Sequence, residues 1–120
     1  ARILRSTLKA LRNQLTLEEN FDLLAQLPMI IKAVYVDGWN PTKYHMKAYT
    51  LADFFDDIRS NDGDNSGYDF GNDVQTYSIV KSVFTVLSEY ISEGEWDDIK
   101  SVVPKPLKKL LTQVEQDMVF

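Results

Sequence analysis

Leu15-Thr16-Leu17-Glu18-Glu19 and Ile91-Ser92-Glu93-Gly94-Glu95 lie 76 residues apart and share one pattern. In each, an aliphatic residue precedes a hydroxyl residue, and a glutamate follows three positions after the hydroxyl. This is a capping box. The hydroxyl oxygen accepts from the backbone N–H of the glutamate, whose carboxylate reaches back to the N–H of the cap. Two such boxes place two helix starts, and the chain on either side of each reads as helix.

Before the first box, Leu4, Leu8, Leu11 and Leu15 recur at helical spacing over Ile3 to Leu15, with Arg2, Arg5, Lys9 and Arg12 off that stripe. After it, a short helix runs to about Gln26 with Leu17, Phe21, Leu24 and Leu23 as its inward residues. Pro28 opens a third helix at a first-turn position, where its missing N–H costs nothing. The apolar face of that helix is Ile30, Ile31, Val34 and Tyr35, and Gly38 stops it. Thr50 caps a fourth helix, Leu51 to Arg59, with Leu51, Phe54, Phe55 and Ile58 inward. Around the second box the order recurs. A long helix from Asp73 to Ile91 carries Tyr77, Val80, Phe84, Leu87 and Ile91. A short helix follows to about Val102, and Pro104 opens a last helix with Leu107, Leu110, Leu111 and Val114.

At the 76-residue offset, Ile3, Ser6, Leu11, Glu19, Asp22, Pro28 and Lys32 fall on identical residues, Ile79, Ser82, Leu87, Glu95, Asp98, Pro104 and Lys108. Stripe, box and proline coincide, so the chain reads as one helical motif used twice. No stretch alternates with period two. The expected fold is all-α: a compact bundle of about six to seven helices from two tandem repeats in a pseudo-twofold relation. Residues 1–120 form one domain, with repeat 1 over about 2–38, a loop over 39–49 and repeat 2 over about 50–118. The 51–58 helix has no counterpart before the first copy. Together with the opening Ala1, this suggests a chain trimmed from something longer.

Leu27-Pro28-Met29 through Tyr35-Val36-Asp37-Gly38-Trp39 is similar to an "LPM…Y.EGW" signature. Ile91-Ser92-Glu93-Gly94-Glu95 through Val103-Pro104-Lys105 is similar to an "ISEGE…DV…LPK" signature. The chain thus resembles the bacterial family called domain of unknown function 2267 over nearly its whole length. Segment 60–72 is longer and more acidic than the family pattern. The resemblance implies an α-helical fold and no assigned activity, so it carries over no catalytic residue.

The 120 residues include no cysteine. Disulfides, thiolate nucleophiles and cysteine-ligated metals are thereby excluded, and a reducing cytoplasm fits. No apolar run approaches the ~20 residues that span a bilayer, and no membrane role is expected. The net charge of −5 speaks against nucleic-acid binding, which needs a basic surface. Charge is uneven: seven Asp lie between Asp53 and Asp73 against the single Arg59, and four Lys without an acid lie between Lys100 and Lys109.

Asp62-Gly63-Asp64-Asn65-Ser66-Gly67-Tyr68-Asp69-Phe70-Gly71-Asn72-Asp73 has the outline of an EF-hand loop. Asp62, Asp64 and Ser66 stand at positions 1, 3 and 5, Gly67 at 6, the Tyr68 carbonyl at 7 and Asp73 at 12. Hard Ca²⁺ takes several oxygens from a loop turned by glycine. Asp69 departs from the aliphatic residue usual at position 8, and Asp73 is shorter than the bidentate glutamate. The alternative is a polar linker of turn formers, with Asp73 as the next helix's N-cap.

His45, the only histidine, has no evident partner. Trp39 and Trp96 read as core or boundary aromatics. Glu18, Glu19, Glu93 and Glu95 are accounted for by capping. With no catalytic constellation, the expectation is a non-enzymatic module that binds a protein partner or itself through a groove between the repeats, with Trp39, Tyr44 and Met46 as first candidates for contact. The alternative is a Ca²⁺-responsive domain using the 62–73 loop. No other cofactor is expected.

Overall fold

The leucine stripe of α1 (Arg2–Gln14) turns inward as its spacing dictates, but burial extends beyond it. Ser6, Thr7, Arg12 and Gln14 are buried with Leu8 and Leu11, because α4 (Leu51–Asp62) covers α1 on one side and α3 (Met29–Val36) on another. Arg12 therefore does not lie off the packed surface. Its Nη1 donates to the carbonyls of Tyr35 at 2.7 Å and Asp37 at 3.3 Å, closing the C-terminal end of α3, and its guanidinium sits 5.9 Å from the Trp39 ring centre. A buried guanidinium is tolerated where carbonyls and an aromatic face replace water.

The computed structural model describes residues 2–42, 48 and 50–117, and among them every regular element is helical. After α1 come α2 (Leu17–Ala25), α3 and α4. A 3₁₀ turn at Gly63–Asn65 and the short α5 (Ser66–Asp69) follow. Then come α6 (Asp73–Ser88), α7 (Glu93–Val102) and α8 (Lys105–Asp117). Seven helices of eight or more residues make an all-α bundle, as the periodicity predicts. Starts recur at the 76-residue offset: α2 and α7 begin at Leu17 and Glu93, α3 and α8 at Met29 and Lys105. Pro28 occupies the N-cap of α3 rather than its first turn, and its carbonyl accepts from Lys32 at 2.9 Å; Pro104 does the same for Lys108.

The core joins both halves of the chain. Leu8, Leu11, Phe54, Ile58, Val80, Phe84, Leu87, Leu110, Leu111 and Val114 are each at most 2 % exposed. Each such side chain contributes about 1.5–3 kcal/mol by leaving water. Helix α4 touches α1, α6 and α8, so it ties one motif to the other. The inward face of α2 differs from expectation. Leu17 and Phe21 are about half exposed, while Asn20 and Leu23, and Leu27 just beyond the helix, are buried. In α3, Ile30 is exposed and Tyr35 is the buried anchor. The long helix ends at Ser88 rather than Ile91, where Glu89 and Tyr90 turn the chain into the second box.

The stretch expected as an acidic loop is wound into helical turns instead. Helix α4 continues through Asp62, and Gly63 at φ 63 allows the change of direction into the 3₁₀ turn and α5. The N-cap of α6 is Asn72, not Asp73. Asn72 and Gln75 exchange the two bonds of a capping box at 2.9 Å each. Gly71, at φ 64, leads into this cap with the Gln75 side chain packed against it; a Cβ there would fall 2.0 Å from Gln75 Oε1.

Candidate functional site

Helices α2 and α7, the ones that follow the two boxes, pack against each other. Glutamate and aspartate three or four positions apart share one helix face. Glu18, Glu19 and Asp22 therefore line one wall of the seam, and Glu95 and Asp98 the other, around a cleft of about 280 Å³ that also meets Ile99. No described residue lining it is basic. Two cations of α1 and α7 are engaged with other groups. Arg12 serves the α3 carbonyls, and Lys100 pairs with Glu115 at 3.0 Å and Asp97 at 3.5 Å.

The two boxes are not equivalent in the folded chain. At the first, Glu19 Nα–H donates to Thr16 Oγ1 at 3.2 Å and Thr16 Nα–H donates to Glu19 Oε1 at 2.7 Å. At the second, Ser92 Oγ accepts from the Glu95 backbone at 3.2 Å, but the returning bond comes from elsewhere. Ser92 Nα–H donates to Gln26 Oε1 at 2.7 Å, and Gln26 Nε2 donates to Ser92 Oγ at 3.3 Å. With its capping duty taken by a side chain from the end of α2, Glu95 is left lining the cleft.

Glu95 is only 8 % exposed, and its carboxylate has no hydrogen-bond partner among the described residues. Burial pushes its carboxyl above the usual glutamate range, and the negative charges of Asp22, Asp98 and Glu19 push it the same way. Beneath the first-motif side of the seam lies a satisfied polar cluster. Asn20 Nδ2 donates to the carbonyls of Arg12, Leu15 and Thr16 at 3.2, 3.3 and 3.0 Å, and Asn20 Oδ1 accepts from the Tyr35 hydroxyl. Burial holds the Tyr35 phenol well above its ordinary value, so it stays a neutral donor.

The residues marked out for a Ca²⁺ loop are spread over several contacts. Asp62 is buried at the end of α4, where its Oδ1 accepts from Ser6 Oγ at 3.4 Å. Asp73, in the first turn of α6, pairs with Arg59. Asp64 lies in the 3₁₀ turn, Ser66 opens α5, and Tyr68 is exposed. Asp69, the residue at odds with the motif, is clamped by Arg2 through bonds of 2.9 and 3.0 Å. Among the described residues no group of three or more acidic or histidine side chains is placed to hold a metal ion. Trp39 is half-buried, edge-on to Phe21 at 5.6 Å and to Tyr35 at 6.3 Å between ring centres. It is thus a boundary aromatic. Tyr44, Met46 and His45 lie outside the described residues.

Sequence reasoning misses the acidic seam because Glu19 and Glu95 each sit in a capping box, which explains a glutamate without further function. The signal is nonetheless present: Glu19 with Glu95 and Asp22 with Asp98 are two of the identical pairs at the 76-residue offset.

Fold and seam together define an all-helical bundle whose most distinctive surface is an acid-lined cleft between two like helices. The chain belongs to the family described as "Uncharacterized conserved protein (DUF2267)", whose model matches residues 1–110. No curated protein matches the chain. Among the described residues no helix is long and apolar enough to cross a membrane.

Proposed function

We propose that the protein is a non-enzymatic interaction module that engages a protein partner at the seam between its two helical motifs. The observation that carries this reading is Glu95, a largely buried residue that lines an open cleft and whose carboxylate has no partner among the described residues. A partly desolvated charge that nothing in the chain pairs is costly, and a partner that supplies the missing contact lowers that cost. This reading rests on the seam rather than on Trp39, which is held by Phe21, Tyr35 and Arg12.

A photo-crosslinking residue at Asp98 or at Glu18, both on the exposed rim, tests this in cells that make the protein. Both positions are expected to yield the same discrete adduct. It should be competed away by excess unlabelled protein and absent when the crosslinker replaces Asp56, on α4. No adduct at either rim position, or equal labelling from Asp56, overturns the reading.

A further inference from the structure

Four features of the seam bear on what it binds. The Glu95 residue is more than nine-tenths buried, lines the cleft and has no side-chain hydrogen-bond partner among the described residues. Its position follows from Gln26, which caps Ser92 in its place. The remaining acids, Glu18, Glu19, Asp22 and Asp98, are distributed along the two walls and do not converge on one point; no three are placed to hold a metal ion. Ile99, only 2 % exposed, offers a small apolar contact among them.

A divalent ion needs several oxygens around one centre. An alkylammonium needs one close carboxylate, an apolar contact for its methylenes and a negative approach, because a lysine stem buries its carbons while its head stays charged. A cleft of about 280 Å³ suits a single chain of that kind and lies just below the ~300 Å³ at which small-molecule pockets begin. We infer that the cleft between α2 and α7 is an alkylammonium site, with Glu95 receiving the ammonium, Ile99 contacting the stem and Glu18, Glu19, Asp22 and Asp98 drawing it in. This rests on the seam being the interaction surface, and the ammonium is then a lysine side chain of the partner. A free polyamine carries the same chemistry.

Titration calorimetry on the whole chain decides the matter, using a blocked lysine tripeptide, spermidine and, separately, Mg²⁺. Saturable 1:1 binding of the tripeptide or of spermidine is expected. Glu95→Gln should weaken it by about tenfold or more, the loss of one charge-assisted hydrogen bond, while circular dichroism stays that of the wild type. Tighter binding of the tripeptide identifies a partner's lysine as the source, and tighter binding of spermidine a free polyamine. No saturable binding of either, equal binding by Glu95→Gln, or displacement of both by Mg²⁺ overturns the inference. The interaction reading fails separately: crosslinks at the rim without ammonium binding leave that reading standing and sink this one, and ammonium binding without crosslinks sinks that reading and leaves the free polyamine as the ligand of the site.

Discussion

Gln26 caps Ser92. The carboxamide at the end of α2 accepts the serine's backbone N–H and donates to its hydroxyl, across 66 residues of sequence. A helix start that capping-box logic assigns to Glu95 is thus completed from the other motif. Gln26→Ala should cost about 1 kcal/mol, the scale of one cap. The vacated N–H then becomes available to Glu95, as Thr16 is to Glu19. The Glu95 carboxyl should therefore titrate lower in Gln26→Ala than in the wild type, because a hydrogen bond to the charged form favours it. Side-chain carboxyl NMR checks this; an unchanged Glu95 titration would show that the two residues do not compete for the cap.

Glu95 also makes stability depend on pH with a definite sign. Its folded pKa is raised, first by burial and then by Asp22, Asp98 and Glu19. The folded state therefore holds the proton more tightly than the unfolded chain, whose glutamate titrates near ~4.3. The contribution is fully present below that unfolded value and is lost as pH rises through the folded one. Glu95→Gln should be more stable than the wild type at neutral pH by about 0.5–2 kcal/mol. The gap should close as pH falls toward the unfolded value. Urea unfolding of the two proteins across that range measures it. The comparison must be a difference, because Asp62, raised by burial and by Asp69, has the same sign, while Asp69, lowered by Arg2, has the opposite one.

Hydrophobic period and box spacing locate the helices because both are local properties. They do less well on which side of each helix meets the core. Along α2 and the turn that follows it two stripes fit helical spacing, Leu17-Phe21-Leu24 and Asn20-Leu23-Leu27, and by polarity alone Asn20 belongs on a solvent face. The fold nevertheless buries the stripe that contains Asn20, because this residue spends its amide on three carbonyls around the end of α1 and its oxygen on the Tyr35 hydroxyl. Arg12 misleads in the same way: a charge reads as exposed until the structure supplies carbonyls 23 and 25 residues away. The seam is legible only as paired identities, since nothing local distinguishes a glutamate that caps from one displaced from capping.

Arg12 is a structural cation, and its removal should show as such. Arg12→Met keeps the stem but drops the bonds to the Tyr35 and Asp37 carbonyls and the contact with the Trp39 face. A loss of about 2–4 kcal/mol is expected, from orphaned carbonyls at a partly buried helix end. Trp39 fluorescence should shift to the red as its ring gains water. Arg12→Lys should recover only part of the stability, because one ammonium lacks the planar fork that reaches both carbonyls from one side. Unfolding curves with tryptophan emission report both quantities; a neutral Arg12→Met would show that the carbonyls find water at no cost.

The acidic turns from Asp62 to Asp73 give the remaining prediction, and it concerns Ca²⁺. A calcium loop presents free carboxylates to one centre, whereas here Asp62 takes the Ser6 hydroxyl, Asp69 takes Arg2 and Asp73 takes Arg59. Rebuilding an EF-hand geometry would mean unwinding the last turn of α4 and all of α5 and exposing Phe70, which is buried with the core. Unmaking a fully buried aromatic contact alone costs about 3 kcal/mol or more. Calcium at low millimolar concentration should therefore leave the melting temperature of the wild type unchanged. Arg2→Ala should lower that temperature by removing the clamp on Asp69, which is worth more than a surface pair because the carboxylate is nearly buried. Calcium should not restore it, since the freed Asp69 has Asp62 beside it but no third acidic or histidine ligand among the described residues. A calcium-dependent rise in melting temperature in either protein would show that the segment can adopt the loop form after all.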